Sequence, residues 1–353
     1  MRVRSLGLKV PKQAWINPAR THFRRPYANA HFRYGLKLRD QLPLKPGVAT
    51  LRFRMHQVTI RVPASTSNLG PGFDCLGLAL RIYNSVTITR DRWPEQPHLP
   101  FVSEAARRFF EQVRRRTFPF SFSIIEKIPR SRGLGSSATI RLGILDGLNR
   151  LSGSRLDRLT LFKLCAELEG HPDNAAPAIF GGFTVVGTPR CGVRSAQRVD
   201  ATVQRFIVSP RLLFVLLVPA FEIQTLTARR LLPSKISHAA AVENCGNACA
   251  ITAAFASKNY EHLRGAFVDF IHQPFRAKLI PFLPAVIAAA EKAGALGAFL
   301  SGSGSTICAI TLQHPDRVAA AMKHAVRPSL SQTIVARADN RGAHVIRSRI
   351  TNH

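Results

Sequence analysis

The chain has 353 residues, and 46% of them are hydrophobic, so it can bury a sizeable core and is not disordered throughout. Fifty Lys and Arg against twenty Asp and Glu give a net charge of +30, which suits either a nucleic-acid binder or a solvated arginine-rich surface. We favour the solvated surface, because no basic stripe interleaved with aromatics and no zinc-finger, helix-turn-helix or RNA-binding signature occurs. No apolar run reaches the roughly 18 residues of a membrane span. The six cysteines form no C-x-x-C pair, and we interpret them as buried, reduced thiols of a cytoplasmic protein.

Residues 1–54 differ in composition from the rest of the chain. They carry thirteen Lys and Arg but only one acid, Asp40, and they show no sustained period and no apolar core of a secretory signal. A single serine, Ser5, argues against a transit peptide. Met55 opens directly onto an alternating strand, so we hypothesise that residues 1–54 are an over-extended gene start. If they are translated, we expect a disordered basic arm.

The next part of the chain reads as mixed strands and helices. Residues 55–90 predict a strand, a glycine-rich turn at 68–74 and a second strand. A helix over 104–116, a strand over 121–128 and a loop over 129–135 follow. Apolar residues on one face predict a helix over 136–151, and another helix over 156–169 is stopped by Gly170. A strand is expected over 180–186.

The second half predicts a strand over 212–218 and helices over 225–232, 236–257, 261–270 and 284–293. A strand follows the glycine-rich loop at 301–304, then a helix over 315–325 and strands around 333–346. The elements lack regular βαβ alternation, which indicates an α+β fold in two lobes rather than a doubly wound sheet. We place the lobes at 55–205 and 206–353.

The segment Gly133-Leu134-Gly135-Ser136-Ser137 follows a predicted strand and opens a predicted helix. Glycines let the backbone approach an anion, and the first N–H groups of a helix have no partner within the helix. The segment is not a Walker A loop, because no Lys follows the glycine, and Ala138 replaces the third glycine of a dinucleotide fingerprint. A serine helix cap after a glycine turn is the alternative. We interpret the segment as a phosphate loop of an ATP-dependent small-molecule kinase.

Four segments together carry a family resemblance: RVPASTSNLGPGFDCLGLAL at 61–80, PRSRGLGSSATI at 129–140, EGHPDNAAPAIFGGF at 169–183 and GAFLSGSGSTI at 297–307. They resemble the GHMP small-molecule kinases and, among those, the homoserine kinases, in order and spacing over about residues 56–346. The first and third segments are the more selective. Mevalonate, galactose and phosphomevalonate kinases share the phosphate loop but lack these blocks in combination, so we rank them second.

The resemblance implies a two-lobed GHMP kinase fold, with an S5-like βαβ ATP-binding lobe followed by a ferredoxin-like lobe. It implies ATP-dependent phosphorylation of the hydroxyl of L-homoserine to O-phospho-L-homoserine, a step of threonine biosynthesis, with Mg²⁺ and in a homodimer. The alternatives are another GHMP small-molecule kinase, or a basic nucleic-acid-binding protein on a retired kinase fold.

The resemblance also assigns the nucleotide site. Ser137 and Glu169 match the residues that hold Mg²⁺, with Glu167 as an open alternative to Glu169. The residues expected to bind ATP are Pro129, Arg130, Ser131, Arg132, Gly133, Leu134, Gly135, Ser136, Ser137, Ala138, Thr139, Gly302, Ser303 and Gly304. Ser305 stands where the family usually has proline, which affects the stiffness expected of the last loop.

The acceptor site is assigned by the same matches. Its expected members are Asn68, Asp74, His171, Asp173, Asn174, Arg229 and Arg276. Asp74 beside Asn68 would accept the ammonium group, although an Asp after a Gly-Pro-Gly turn can also be a turn former only. Arginine forks bind planar carboxylates, which suits Arg229, or its neighbour Arg230, and Arg276.

Asn174 occupies the position where several relatives have an aspartate that acts as a base. An amide cannot take a proton, so we expect Asn174 to orient the acceptor hydroxyl. Catalysis with Asn174, Ser137 and Glu169 would then rest mainly on positioning and electrostatics.

Overall fold

The structure, a computed structural model, describes residues 54–90, 99–154, 156–187, 202–326 and 331–351. The expectations for residues 1–53 therefore lie outside the described residues. The strands are β1 (Arg54–Ser67), β2 (Leu76–Arg90), β3 (Phe120–Ile125), β4 (Phe183–Gly187), β5 (Thr202–Phe206), β6 (Leu213–Pro219), β7 (Gly297–Leu300), β8 (Ile307–Thr311), β9 (Ser331–Arg337) and β10 (His344–Thr351). The helices are α1 (Pro100–Val113), α2 (Ser136–Leu151), α3 (Arg158–Glu169), α4 (Ala175–Phe180), α5 (Thr225–Arg230), α6 (His238–Ser257), α7 (Gln273–Arg276), α8 (Leu283–Lys292) and α9 (Pro315–His324).

The first sheet is antiparallel and has the order β10-β1-β2-β4-β5, with β3 paired to the far half of β2. Val58, Ile60 and Val62 alternate with polar residues along β1, so one face of the sheet is apolar. Helices α1 to α4 cover that face and form one core with it. The long β1–β2 pair ends at the turn over 68–74, so this turn lies at one end of the sheet.

The second sheet is also antiparallel, with the order β7-β8-β6-β9. Along β6, Val215 and Leu217 face a core shared with α8 and α9. Phe214 and Leu216 face the opposite way, into a core that also contains residues of α6 and of β2. Both faces of this sheet are therefore buried, and the second of these cores joins it to the first sheet.

Local signals fix several helix ends. Helix α2 begins after Gly135, which has a left-handed backbone with φ of 68°, and it runs over the predicted 136–151. The side chain of Asp157 caps α3 by accepting from the backbone N–H of Thr160. Helix α3 ends at Gly170, whose φ of 77° is the usual glycine stop. These ends place the phosphate loop and the end of α3 beside each other.

Three predicted elements are wrong in part. The helix expected over 261–270 is only a 3₁₀ helix at Tyr260–Leu263, because Gly265 adopts a φ of +76° and the carboxylate of Asp269 accepts from three following backbone N–H groups. The strand expected over 180–186 begins at Phe183, after two glycines with positive φ, and α4 precedes it. The helix expected over 104–116 begins at Pro100 and ends at Val113.

The mixed α+β prediction is confirmed by the two sheets and their helices. Near the predicted boundary at 205/206, β5 belongs to the first sheet and β6 to the second. The last strand, β10, returns to pair with β1 in the first sheet. The domain limits themselves stay a prediction. The prediction of buried cysteines is wrong in part: Cys165 and Cys308 are buried, whereas Cys75, Cys245 and Cys249 are exposed. No helix in the described part of the chain is long and apolar enough to cross a membrane.

Candidate active site

The predicted phosphate loop crosses from β3 to the N-terminus of α2 and is held open by close backbone contacts. A Cβ on Gly133 would lie 2.0 Å from the carbonyl oxygen of Ser301, and one on Gly135 would lie 2.2 Å from Ser65 Oγ. Both glycines have φ near +70°. Ser301 Oγ donates to the carbonyl of Gly133 at 2.6 Å. Only glycine fits these two positions, so the shape of the loop follows from its sequence.

The start of α2 has the properties of an anion site. Helix α2 has no side-chain cap at its N-terminus, and Ser136 Oγ is buried without a hydrogen-bond partner among the described residues. Buried polar groups are usually paired, so an unpaired hydroxyl beside free helix N–H groups indicates a missing ligand atom. The helix dipole makes that ligand an anion.

Most of the residues expected to bind ATP line one cleft. Those on its wall are Ser131, Arg132, Gly133, Leu134, Gly135, Ser136, Ser137, Gly302 and Ser303. The other five, Pro129, Arg130, Ala138, Thr139 and Gly304, do not line it. Arg130 pairs with Glu126 on the surface, and Thr139 is buried beneath the loop, where it donates to the carbonyl of Ser136. The sequence match thus covered the whole loop, whereas only part of it faces the cleft.

The loop at 301–304 forms the floor below the phosphate loop. The backbone N–H of Gly302 donates to the carbonyl of Ser67 at 3.1 Å, and Thr66 and Ser301 share a hydroxyl hydrogen bond of 2.8 Å. The backbone of Thr306 reaches the carbonyl of Arg132 at 3.2 Å. These contacts connect the end of β1, the phosphate loop and the second sheet.

Ser137 and Glu169 meet at one end of the cleft. Ser137 Oγ donates to Glu169 Oε1 at 2.7 Å, and Arg141 Nη1 donates to the same oxygen at 2.8 Å. Glu167 points elsewhere: its side chain is 54% exposed and pairs with Arg108. The geometry therefore favours Glu169 over Glu167 as the acidic member of the predicted Mg²⁺ site.

A hydroxyl and a carboxylate are the hard oxygen ligands that suit Mg²⁺, which usually takes one or two carboxylates together with substrate phosphates and water. No group of three His, Cys, Asp or Glu that could hold a metal occurs within the described ranges. The Ser137–Glu169 pair fits a metal that is shared with a nucleotide, rather than one caged by protein alone.

The other end of the cleft carries the charged acceptor residues. Arg229 forks onto Asp74, with Nη1 3.0 Å from Oδ2 and Nη2 2.6 Å from Oδ1. Arg276 is only 2% exposed and forms no direct salt bridge within the described structure, although the charges of Asp74, Asp173 and Asp269 act on its guanidinium from a longer distance. Its Nη1 donates to the carbonyl of Gly302 at 2.9 Å, whereas its Nε has no hydrogen-bond partner in the described part of the chain.

Burying an arginine without a direct salt bridge costs free energy. Burial, followed by the charge of Arg229, lowers the pKa of Arg276 to about 10. At neutral pH the guanidinium still carries its charge, so a carboxylate entering the cleft would supply the missing partner.

Asn68 lines the cleft, but both ends of its amide bond to protein groups. Its Oδ1 accepts from the backbone N–H of Asp74 at 3.0 Å, and its Nδ2 donates to the carbonyl of Gly302 at 3.0 Å. It is 2% exposed and has a φ of 70°, which asparagine tolerates better than most residues. The Asn68 amide therefore links the turn over 68–74 to the loop at 301–304 and holds the backbone of Asp74 in place.

Asn174 sits between the two ends of the cleft and is held rigidly. Ser65 Oγ donates to its Oδ1 at 2.8 Å, and its Nδ2 donates to Ser67 Oγ at 3.1 Å. A Cβ on Gly135 would lie 3.0 Å from Asn174 Oδ1, so the amide lies against the phosphate loop. This is a fixed polar group beside the expected γ-phosphate.

His171 and Asp173 form a hydrogen-bonded pair next to Asn174, with Nδ1 and Oδ1 2.7 Å apart. Burial alone would lower the pKa of His171, but the hydrogen bond and charge of Asp173 outweigh it, and the net pKa is raised. Burial likewise opposes the charge of Asp173, yet its pair with His171 lowers its pKa. Asp173 thus stays an anion that orients the imidazole.

Sequence reasoning missed several residues of the site. Phe73 lines the cleft, and its ring lies 5.2 Å from Arg229 Cζ and 5.3 Å from Arg276 Cζ. Arg141 holds Glu169, and its position four residues after Ser137 on α2 was a readable signal of a shared helix face. Ser65 had no such signal, because its contact with Asn174 exists only in the folded chain.

Comparison with known proteins agrees with this geometry. Residues 100–182 match the model of the GHMP kinases N terminal domain, and residues 252–327 match the GHMP kinases C terminal model. A homoserine kinase of Moorella thermoacetica is 38% identical over 301 residues, which are 81% of this chain and 99% of that protein. One of Caldicellulosiruptor bescii is 35% identical over 307 residues, covering 82% and 96%. The chain belongs to the homoserine kinase family of the GHMP kinases.

Solved structures of the GHMP kinases share the fold. The homoserine kinase of Cytophaga hutchinsonii superimposes with a TM-score of 0.72 at 27% identity, over 82% of this chain and 98% of that one. A mevalonate kinase of Methanococcus jannaschii has a TM-score of 0.58 at 16% identity, covering 80% and 98%, and shows the fold alone. The chain is therefore a kinase with the two-lobed GHMP fold, as the sequence predicted, and ATP is its phosphate donor.

Proposed function

We propose that this kinase transfers the γ-phosphoryl group of ATP to the hydroxyl of L-homoserine, which makes O-phospho-L-homoserine on the route to threonine. One observation carries the proposal: an Asp, an Arg paired with it, and a buried Arg whose Nε has no hydrogen-bond partner in the described structure share one cleft with a phosphate loop. The relatives named homoserine kinase support the same acceptor.

The acceptor end matches the head of an α-amino acid. Ammonium and carboxylate are attached to one carbon, so they need an acceptor and a donor close together. Asp74 and Arg229 are such a pair. Each oxygen of the Asp74 carboxylate accepts one hydrogen bond from Arg229 and can accept another from an ammonium group. Arg276 supplies a second cation for the carboxylate. The side chain of the amino acid would then extend past Asn174 toward the phosphate loop.

In the reaction, the acceptor oxygen forms a new bond to the γ-phosphorus while the bond to the β–γ bridging oxygen breaks, and ADP leaves with that oxygen. Asn174 lies where it can orient the acceptor hydroxyl, but its amide cannot remove the proton. We propose that the proton passes to the transferred phosphate or to water, and that positioning and electrostatics provide the rate.

Ser137 and Glu169 would hold Mg²⁺, which neutralises charge on the transferred phosphoryl group when bound. Arg141 keeps the Glu169 carboxylate beside Ser137, and the first N–H groups of α2 with Ser136 Oγ receive phosphate oxygens. Asn68 positions Asp74 rather than binding the ammonium group by itself. A homodimer, a cytoplasmic location and the absence of nucleic-acid binding stay predictions.

The substrate panel that tests this proposal couples ADP release to a dehydrogenase assay with homoserine, mevalonate or galactose as acceptor. We expect homoserine to give a kcat/KM at least about 10²-fold above the others, because an alcohol without the amino-acid head cannot bond to both the acidic and the basic groups of the acceptor end. Turnover with mevalonate or galactose but not homoserine would assign the chain to another GHMP activity. Steeply salt-dependent DNA binding without ADP release would favour the nucleic-acid alternative.

A further inference from the structure

Phe73 touches both acceptor arginines. It is the residue before Asp74 in the turn over 68–74, is half-buried and lines the cleft. Its ring centroid lies 5.2 Å from Arg229 Cζ and 5.3 Å from Arg276 Cζ. The two arginines come from α5 and α7, which are far apart in sequence. One aromatic ring therefore lies close to two guanidinium groups from different helices.

Two guanidinium groups that converge on one point repel each other. The electron-rich face of an aromatic ring attracts a guanidinium within about 6 Å, and the attraction grows when water is excluded. A flat guanidinium also stacks on a ring, which removes rotamers that point away. The Phe73 ring thus offsets part of the repulsion before a carboxylate arrives.

Neighbouring groups restrain the Phe73 ring and the two arginines. The buried imidazole of His272 lies 5.3 Å from the Phe73 ring, centroid to centroid. Burial, together with the charge of Arg276, outweighs the opposing charge of Asp269 and lowers the pKa of His272 to about 4, so the imidazole next to Phe73 is uncharged at neutral pH. Asp74 holds the edge of Arg229, and the carbonyl of Gly302 holds Arg276.

We propose that Phe73 is a positioning residue that orients Arg229 and Arg276 toward a shared carboxylate site, and so makes the kinase select acceptors that carry a carboxylate. The inference rests on the proposed homoserine kinase activity. It predicts that loss of the ring weakens recognition of the carboxylate and leaves the nucleotide end of the cleft intact.

The test compares Phe73→Leu, which keeps an apolar side chain, with Phe73→Tyr, which keeps the ring. We expect Phe73→Leu to raise the homoserine KM about 10-fold and the ATP KM less than about 2-fold. The inhibition constant of 3-aminopropan-1-ol, which is homoserine without its carboxylate, should change less than about 2-fold. Phe73→Tyr should restore most of the homoserine affinity.

Phe118→Leu is the matched control, because Phe118 lies 3.9 Å from Arg90 Cζ and does not line the cleft. It should leave the homoserine KM unchanged. An unchanged homoserine KM in Phe73→Leu, or an equal change in the constants for homoserine and 3-aminopropan-1-ol, would overturn the role of Phe73 alone. Absence of homoserine turnover in the wild type would instead overturn the proposed function, and this inference with it.

Discussion

The two ends of the cleft are built in different ways. The phosphate end is made from backbone: two glycines with positive φ, a helix N-terminus and one buried hydroxyl, all from residues 133–137. The acceptor end is made from charged side chains that reach it from the turn over 68–74, from α5 and from α7. A backbone site recognises any phosphate, whereas converging side chains recognise one arrangement of charges. A mutation at one end should therefore impair either ATP binding or the selection of the acceptor, but not both.

The largest effect is expected at the phosphate end. Gly135→Ala would place a Cβ 2.2 Å from Ser65 Oγ and 3.0 Å from Asn174 Oδ1. The loop must shift by an ångström or so, and we expect kcat/KM for ATP to fall about 10²-fold or more, measured by steady-state ADP release. Gly153→Ala is the control, since Gly153 has a φ of +63° but open space around it. Gly153→Ala should lower the free energy of unfolding by about 1 kcal/mol and leave the activity unchanged.

A large effect is expected from the acidic residue nearest the loop. Glu169→Gln removes the charge beside Ser137, and we expect kcat to fall about 10²-fold with a higher Mg²⁺ requirement. Glu167→Gln removes an exposed ion pair with Arg108 and should change kcat less than about 2-fold. Titration of Mg²⁺ in both variants, with Mn²⁺ binding followed by electron paramagnetic resonance, measures the difference. The reverse order of effects would move the metal site to Glu167.

Arg276→Met should separate the two ends of the cleft directly. The homoserine KM is expected to rise between about 10- and 10²-fold, because a charged hydrogen bond to the carboxylate is lost, while the ATP KM changes less than about 3-fold. The exposed Arg230 offers the control Arg230→Met, which should leave both constants unchanged. Equal changes in both KM values for Arg276→Met would show that the two ends are not independent.

The last expected effect is on stability rather than activity. The folded-state pKa of His272, about 4, lies below its usual 6.5, so the unfolded chain takes up a proton first as the pH falls. Stability from this group is fully present above about pH 6.5 and is lost between about pH 6.5 and 4, up to roughly 3 kcal/mol. Urea unfolding across this range should show a shallower loss for His272→Gln. Parallel curves would contradict the assignment.

The phosphate end could be predicted from sequence because its chemistry is contiguous. The helix over 136–151 and the glycines before it were readable from period and composition, and α2 has the predicted bounds. Glu169 required the family match, since its contact with Ser137 crosses from α2 to α3.

The residues of the acceptor end could be predicted from the sequence, but the contacts between them could not. Every acceptor residue that the sequence suggested lines the cleft, apart from Arg230, the exposed alternative to Arg229. The fork between Asp74 and Arg229, the link made by Asn68 and the ring of Phe73 between two arginines are tertiary contacts, which no local pattern encodes. The helix expected over 261–270 is wrong for a local reason: Gly265 adopts a φ of +76°, and the carboxylate of Asp269 accepts from the backbone N–H groups at the start of α7.

Phosphorus NMR of the product tests most directly whether the cleft transfers phosphate from ATP to an amino-acid alcohol. The purified chain is incubated with ATP, Mg²⁺ and L-homoserine until the ATP is consumed. We predict a phosphate monoester signal coupled to the methylene protons of homoserine, in amounts equal to ADP. Inorganic phosphate appearing with ADP, or ATP left intact, would contradict it.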